Sequence, residues 1–357
     1  MAMTTSLGLM SGTSLDGIDA ALIRTDGHRQ VETGAHLTVP YEAGFRQRLR
    51  AILGGKGEVA AVEQELTDLH AEAVARLLAE AGIGAGEVDL IGFHGHTILH
   101  APHEKRTWQI GDAGRLAQRT GIAVVHDFRS ADVAAGGQGA PLLPLYHQAR
   151  AGGLTRPLAV LNLGGVGNVT WLGPKDTDIV AFDTGPGNAL IDDWMLRHTG
   201  QRFDENGTVA LQGHVVPEVL GRLLGHPYFT KPAPKSLDRD DFSIAAAEGL
   251  AVEDGAATLA AFTAEAVVRS VALMPQVPSR WLVTGGGRHN RAIMRWLGTR
   301  LQAPVDPVES VGWSGDALEA QGFAYFAVRS VAGLPISFPG TTGVPAPQTG
   351  GRLQPAT

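Results

Sequence analysis

Three short glycine-rich turns carry the residues of this sequence that are best suited to binding an anion. The first spans residues 11–14, reads SGTS, and is followed by Asp16 and Asp19; the others span residues 164–168 and 285–287. Backbone N–H groups in such turns converge on a point and bind anions, and small side chains permit close approach. Three of them would suit a polyphosphate such as ATP, although each could instead be a turn that requires positive φ. The pattern GxxxxGK[ST] is absent, so a P-loop is not supported.

Asp183 is the carboxylate best placed for acid–base chemistry. The pattern predicts a strand to Phe182 and a helix from about Pro186, so Asp183 would end a strand beside the turn at residues 184–188. A carboxylate projecting there could act as a general base. The alternative is an aspartate that only forms the turn or caps the helix.

The other acidic residues near these turns have weaker assignments. Asp192 and Asp193 follow on the predicted helix and are typical of a solvated helix face. Asp16 and Asp19 could hold Mg²⁺ through water, since this ion keeps much of its hydration shell, or could simply shape the turn.

Histidines and one arginine add possible ligand contacts. Histidines occur at positions 94, 96, 100 and 103. No HExxH pattern or firm carboxylate set accompanies them, so sugar contacts or plain hydrogen bonding are favoured over a catalytic metal. Arg129 precedes the irregular segment AAGGQGAPLLP, which predicts a packed loop that carries either a functional cation or a structural ion pair.

Composition restricts the class of protein. The chain has 357 residues, a net charge of −7, 44% hydrophobic residues and no cysteine. Disulfides, thiolate nucleophiles and cysteine zinc sites are excluded, and nothing favours nucleic acid or an anionic membrane as a partner. The N-terminus lacks the features of a signal peptide, and no apolar run approaches the roughly 18 residues of a spanning helix. We therefore expect a cytoplasmic protein.

The pattern of elements predicts an α/β protein with two domains. Residues 5–24 and 158–172 each read as a strand, a glycine turn and a strand, and apolar spacing predicts a helix over 59–81 that stops at Gly82. Two halves that begin alike indicate a duplicated fold with a cleft between the halves. The boundary falls in AGGLTRP, giving domains 1–150 and 151–357.

The end of the chain is assigned separately. A final helix is predicted over Ser314–Ala332 with Ser314 as its N-cap, and this helix could return to the first domain. The tail from residue 334 is rich in Pro, Gly and Thr, which predicts a surface wrap or a disordered segment.

The sequence resembles the anhydro-N-acetylmuramic acid kinase family of the sugar kinase/actin/Hsp70 superfamily. The resemblance covers nearly the whole chain and is carried by long segments, among them GLMSGTSLDGID, NLGGVGNVTWL, FDTGPGNALIDDW, PKSLDRDDF and VTGGGRHN. It implies two RNase H-like (actin-like ATPase) domains flanking an active-site cleft. It also implies ATP and Mg²⁺ as cofactors, a small anhydro amino sugar as substrate, and a homodimer.

The family's reaction implies roles for individual residues. It is an ATP-dependent opening of 1,6-anhydro-N-acetylmuramic acid with water, coupled to phosphorylation of O6, in peptidoglycan recycling. Asp183 would be the catalytic base, and Thr97, Arg129 and Glu319 would contact the sugar. The ATP-binding residues implied are Gly12, Thr13, Ser14, Leu15, Asp16, Gly17, Ile18, Asp19, Gly164, Gly165, Gly285, Gly286 and Gly287. The metal ligands stay unassigned.

Three positions depart from the expected patterns. The first strand reads Gly8-Leu9-Met10 where many superfamily members carry an Asp, His96 stands in place of Gln, and His126 stands in place of Ala. The first departure leaves the Mg²⁺ ligands open.

Three other functions are compatible with parts of the pattern. A conventional sugar kinase would use Asp183 to deprotonate a free hydroxyl, and a nucleotide-dependent actin-like binding module would not need this residue. A serine hydrolase using Ser11 or Ser14 is disfavoured because no GxSxG elbow is present.

Overall fold

The computed structural model describes residues 2–12 and 14–356 and, for Asp240, the backbone alone. Thr13, one of the predicted ATP-binding residues, lies outside the described residues. The chain divides into two compact units: unit 1 is Met1–Gly153 with Asp316–Thr357, and unit 2 is Leu154–Gly315. The predicted boundary at 150 lies beside this division, but residues 316–357 group with unit 1 and not with the second domain of the predicted 151–357.

The elements have the following bounds. The strands are β1 Thr4–Ser11, β2 Gly17–Thr25, β3 Val31–Pro40, β4 Leu90–Ala101, β5 Arg106–Ile110, β6 Val124–His126, β7 Leu158–Leu163, β8 Val166–Leu172, β9 Ile179–Pro186, β10 Trp281–Thr284, β11 Val305–Pro307 and β12 Arg352–Gln354. The helices are α1 Ala43–Ala51, α2 Val59–Ala81, α3 Ala113–Thr120, α4 Ser130–Ala134, α5 Pro144–Arg150, α6 Ala189–Thr199, α7 Pro217–Leu224, α8 Val252–Ser270, α9 Arg291–Arg300, α10 Leu318–Val331 and α11 Pro339–Thr342. Short 3₁₀ turns connect several of them.

Each unit is built on one mixed sheet, and the two sheets share a topology. Unit 1 has the strand order β12-β6-β4-β1-β2-β3 with β5 paired to β4, and unit 2 has the order β11-β10-β7-β8-β9. In both, an antiparallel meander (β1–β3 or β7–β9) is extended from its first strand by parallel strands. The α/β duplication predicted from the two similar hairpins is therefore confirmed.

Helix α10 packs directly on the sheet of unit 1. Gly8 and Gly92 lie so close to it that an added Cβ would stand 1.7 Å from the Ala320 carbonyl oxygen and 2.0 Å from that of Phe323, respectively. The Ser6 hydroxyl donates to the Ala324 carbonyl at 2.9 Å. Glycines on adjacent strands thus let the helix backbone approach the sheet, and this contact fixes the position of the first turn of α10.

Local signals predicted some element bounds well and others poorly. Helix α2 has the predicted bounds, and Gly82 ends it with φ of 68°. The predicted helix start at Pro186 is wrong because β9 continues through Pro186, and α6 begins at Ala189. Ser314 is not the cap of the final helix, which begins at Leu318 after Ala317.

The C-terminal tail is ordered, so of the two predicted alternatives, a surface wrap or a disordered segment, the disordered segment is wrong for the described residues. Strand β12 pairs antiparallel with β6, and Ser337, Thr341 and Thr342 are buried. The tail is part of unit 1.

One helical segment, Val252–Leu273, is long and apolar enough to cross a membrane by length and composition. The segment contains Glu253, Asp254, Glu265 and Arg269, so it is not an uninterrupted apolar run of the kind found above to be absent from the sequence. In addition, 72% of its most apolar window is buried, and its side chains belong to the core of unit 2. Burial against α6, α7 and α9 explains its composition.

Candidate active site

In unit 1 the predicted phosphate turn connects β1 to β2. The Leu15 amide donates to the Gly12 carbonyl at 3.1 Å, and Leu15 has a φ of 59°. The Ser14 hydroxyl donates to Asp16 Oδ1 at 2.7 Å, and the Tyr41 amide donates to the Asp16 carbonyl at 2.9 Å. Gly17 and Ile18 are buried at the start of β2, Gly12 is partly buried, and Ser14 is exposed.

Carboxylates cluster at the base of this turn. Burial raises the pKa of Asp19 to about 7, opposed by a 2.6 Å hydrogen bond from Thr38 and reinforced by Glu319, Asp16 and Asp316. No group of three or more metal-ligating side chains preformed for an ion occurs among the described residues. Mg²⁺ is commonly bound by one or two carboxylates together with water and phosphate oxygens, so this cluster fits such an ion bound with a nucleotide.

The sugar-side candidates Arg129 and Glu319 lie near one another in unit 1. Arg129 donates from Nε to His94 Nε2 at 3.1 Å and from Nη1 to the Gly139 carbonyl at 2.7 Å. Burial lowers the pKa of Arg129 to about 10, against the opposing charges of Glu319 and Asp132. Burial raises the pKa of Glu319, and Arg129 opposes this effect. In the described part of the chain, the hydrogen-bond acceptors of Arg129 are a neutral imidazole and a backbone carbonyl, and its remaining N–H groups are available to a ligand.

Thr97 lies on β4, where its hydroxyl accepts from Gln109 Nε2 at 3.2 Å. No described contact joins it to Arg129 or Glu319. Nearby, Ser11 Oγ is hydrogen bonded to both Tyr41 Oη at 2.6 Å and His96 Nδ1 at 2.9 Å. Burial lowers the pKa of His96 to about 4, so this imidazole is neutral at physiological pH.

In unit 2, Asp183 lies within β9 and not at its end as predicted. Its neighbour Thr184 is the extra residue of a β-bulge, since Asn168 pairs with Asp183 while Gly167 pairs with Gly185. A bulge redirects side chains locally and is frequent beside active sites. The bulge, and not a strand end, therefore sets the direction of this carboxylate.

The surroundings of Asp183 come from residues 228–237. The Leu237 amide donates to Asp183 Oδ2 at 2.8 Å, the Asp183 amide donates to the Lys235 carbonyl at 2.9 Å, and Tyr228 Oη donates to the Asp183 carbonyl at 2.5 Å. Among the residues that the structure describes, none donates to Oδ1. Burial raises the pKa of Asp183 to about 7, opposed by the Leu237 amide and the charge of Lys235. A half-buried carboxylate with one anchored and one available oxygen is well suited to accept a proton near neutral pH.

The two other glycine turns of unit 2 meet each other. The Asn188 amide and side chain both donate to the Gly164 carbonyl, at 2.7 Å and 3.1 Å, and the Gly187 amide donates to the Gly165 carbonyl at 2.9 Å. A Cβ on Gly285 would lie 2.4 Å from Asn162 Oδ1, and one on Gly287 would lie 3.0 Å from Asn188 Oδ1, so the 285–287 turn lies beside the residues that hold the 164–165 turn. The structure thus brings together residues 164–165 and 285–287, which the sequence placed in one ATP site.

We expect Gly285→Ala to weaken ATP binding. Its φ of 75° and the contacts with Asn162 and Leu163 both oppose a side chain, so the turn must shift away from residues 162–163. The KM for ATP should rise roughly tenfold, on the scale of a 1.4 kcal/mol loss. Gly298→Ala is the matched control, because a Cβ at this helical glycine meets nothing within 4 Å. Equal ATP KM values for both variants would remove the 285–287 turn from the nucleotide site.

The family model for anhydro-N-acetylmuramic acid kinase matches residues 4–356. The chain belongs to this family. It is therefore a kinase, as the resemblance of its motifs predicted. A protein of Rhodospirillum rubrum named anhydro-N-acetylmuramic acid kinase is 58% identical over 356 residues, which cover 98% of this chain and 94% of that protein. One of Paramagnetospirillum magneticum with the same name is 58% identical over 350 residues, covering 97% of this chain and 98% of the relative.

A solved structure supports the fold of this kinase family member. Component A of the Acidaminococcus fermentans (R)-2-hydroxyglutaryl-CoA dehydratase has a TM-score of 0.50 and 13% identity, and covers 92% of this chain and 99% of that chain. Such a likeness concerns the fold alone. With the shared topology of the two sheets, it confirms the predicted fold of two actin-like α/β domains.

The sequence did not predict the neighbours that hold the site residues. Tyr228, Lys235 and Leu237 lie around Asp183, and Asn188 binds Gly164 and lies beside Gly287. The family-like segment PKSLDRDDF contains Lys235 and Leu237, so the motif was visible, but its contact with Asp183 depends on the tertiary fold.

Proposed function

We propose that this kinase converts 1,6-anhydro-N-acetylmuramic acid, ATP and water to N-acetylmuramic acid 6-phosphate and ADP. Water forms the new bond to C1 while the C1–O6 bond breaks. O6 forms a bond to the γ-phosphorus as the bond to the β–γ bridging oxygen breaks, and the proton lost by water passes to a carboxylate. Family membership supports the kinase part, and the environment of Asp183 supports the hydrolytic part.

Asp183 is the base that we assign to the attacking water. The observation that carries this assignment is its half-buried carboxylate, anchored at Oδ2 by the Leu237 amide. Because burial raises the pKa to about 7, the ionised group is a stronger base than an ordinary aspartate yet is still populated at neutral pH. A single carboxylate that activates water fits cleavage of a glycosidic bond with inversion.

Phosphoryl transfer requires mainly positioning and neutralisation of charge. We assign the Gly12–Asp19 turn in unit 1, and residues 164–165 and 285–287 in unit 2, to the nucleotide. Asp16 and Asp19, with Glu319 nearby, would hold Mg²⁺, which supplies neutralisation of the phosphate charge when bound. Thr97, Arg129 and Glu319 remain our proposed sugar contacts.

The decisive experiment is the reaction in ¹⁸O-labelled water with ATP, Mg²⁺ and the anhydro sugar, followed by mass spectrometry. Label at C1 together with a new 6-phosphate would establish coupled hydrolysis and phosphorylation. A phosphorylated product without label would instead indicate a conventional kinase that acts on a free hydroxyl. A chain that binds nucleotide and sugar without turnover would be a binding module.

We expect the rate to rise with pH through neutrality. The base must be ionised, and burial raises the pKa of Asp183 to about 7, so kcat/KM for the sugar should increase from about pH 6 to about pH 8. Asp192 also has a pKa raised by burial to about 7, and Asp192→Asn should leave the profile unchanged. A flat profile at saturating Mg²⁺ and ATP would contradict the titration assigned to Asp183.

The wider setting follows from the same proposal. A kinase of peptidoglycan recycling would act on a small amino sugar in the cytoplasm, as a homodimer, without nucleic-acid or membrane partners. The net charge of −7 is compatible with this setting.

A further inference from the structure

The C-terminal tail makes a contact that the proposed chemistry does not use. Asp132, on the short helix α4, is 1% exposed, and its Oδ2 accepts hydrogen bonds from Ser337 Oγ and Thr342 Oγ1, both at 2.5 Å. Its Oδ1 accepts from the Gly139 amide at 2.6 Å. A buried carboxylate satisfied by three donors from two chain segments holds those segments together.

This contact continues directly to Arg129. The Gly139 residue whose amide binds Asp132 is the one whose carbonyl accepts from Arg129 Nη1 at 2.7 Å. The Gln138 amide also donates to the Thr342 carbonyl at 2.7 Å. The loop at 137–139 therefore contacts the tail through Asp132 and the Gln138 amide, and it binds the Arg129 guanidinium through the Gly139 carbonyl.

There is little room for the loop to relax. Gly139 has a φ of 68°, and a Cβ on Gly137 would stand 2.2 Å from Asp132 Oδ1. A displacement of Thr342 would have to be transmitted through Asp132 or Gln138 to the Gly139 carbonyl, because this segment is packed against the carboxylate.

We propose that Asp132, Ser337 and Thr342 are positioning residues for sugar recognition, and that the C-terminal tail sets the orientation of Arg129 through Gly139. The inference rests on the proposed role of Arg129 as a sugar contact. Residues 334–343 (LPISFPGTTG) would then contribute to the recognition of the sugar as well as to packing in unit 1.

The tail offers a matched pair of threonines for the test. Thr341 and Thr342 are adjacent and both buried, but the Thr341 hydroxyl bonds only locally, with the backbone of Phe338. Valine keeps the shape of threonine and removes the hydroxyl. Thr342→Val should raise the sugar KM roughly 5- to 20-fold with little change in the ATP KM. This is less than the full effect of a lost hydrogen bond to a charge, because the change reaches the sugar only through Arg129. Thr341→Val should leave the sugar KM unchanged.

A conservative variant distinguishes an effect on the position of Arg129 from a general loss of stability. Thr342→Ser restores the donor and should return the sugar KM to the wild-type value. Ser337→Ala, which removes the second donor with a smaller change in volume, should raise the sugar KM in the same direction and serves if Thr342→Val does not fold. The proposal would be overturned if Thr342→Val had the same sugar KM as Thr341→Val. If Thr342→Val does not fold, the same comparison is made between Ser337→Ala and Thr341→Val.

Arg129→Lys distinguishes this proposal from the function on which it rests. If Arg129→Lys raises the sugar KM while the tail variants do not, the positioning inference fails and the sugar contact stands. If Arg129→Lys leaves the sugar KM unchanged, the assignment of Arg129 to the sugar fails first, and the positioning inference fails with it.

Discussion

Replacing Asp183 by Asn should abolish most of the turnover while leaving both substrates bound. Asparagine has nearly the same shape and can still accept the hydrogen bond from the Leu237 amide, but it cannot take a proton from water. Loss of a general base lowers kcat by roughly 10²–10⁴-fold. The binding of ATP and of the anhydro sugar, measured by calorimetry, should change little.

Asp193→Asn provides the matched control. Asp193 lies on α6 of the same unit, where its side chain is partly exposed and paired with Arg239 at 2.8 Å. An exposed ion pair contributes little to stability, so this variant should retain wild-type turnover and melting temperature. Wild-type turnover of Asp183→Asn would remove the residue from catalysis and leave the proposed reaction without a base.

The same burial that prepares Asp183 for catalysis should lower the free energy of unfolding as pH rises from about 4 to about 7. Its pKa is raised to about 7, so the folded state prefers the protonated form, and the stability present at low pH is lost as pH rises through this value. Ionisation of the Asp183 carboxyl thus lowers the stability of the folded state, and such perturbed groups are common among catalytic acids and bases.

Local sequence rules predicted the hairpins and α2 because their signals lie within each element. Apolar spacing and Gly82 specify α2, and the glycine turns specify the first hairpin of each unit. Pro186 was misassigned because proline is acceptable both at the start of a helix and at the end of a strand. The pairing of Pro186 with Val166 on β8 places it in the strand, and a local sequence pattern does not show this contact.

Long-range contacts also account for what the sequence did not predict in the site. The sequence identified Asp183 and the glycine turns as residue types that can bind or react. It did not show that Leu237 anchors Asp183, or that Ser337 binds Asp132 from 205 positions away. A tail rich in Pro, Gly and Thr resembles disorder in composition, yet here its hydroxyls bond to a buried carboxylate and its last strand pairs with β6.

Gly8 belongs to the stretch Gly8-Leu9-Met10 that departs from the expected pattern, and its packing gives a large expected effect. Helix α10 packs directly against this glycine of β1. A Cβ at this position would lie 1.7 Å from the Ala320 carbonyl oxygen and 2.7 Å from the Ala324 amide nitrogen. Both are backbone atoms, so the contact cannot be relieved by rotating a side chain.

Gly8→Ala should therefore destabilise unit 1 by at least about 3 kcal/mol, at the upper end of the effect of overpacking a core. For a unit of this size that corresponds to a decrease in melting temperature of roughly 6–12 °C, measured by calorimetry. Gly86→Ala is the control, since a Cβ there meets nothing within 4 Å, and its melting temperature should stay near the wild type.

The effect of Gly8→Ala should extend to the sugar, because Glu319 lies on the first turn of α10 next to Ala320. Moving α10 away from β1 moves this carboxylate relative to Arg129 and the turn at Gly12–Asp19. Protein that folds at low temperature should thus show a raised sugar KM as well as reduced stability. If Gly8→Ala melts with the wild type and keeps its sugar KM, then the close packing of α10 on β1 does not hold Glu319 in place, and its proposed role as a sugar contact loses its structural support.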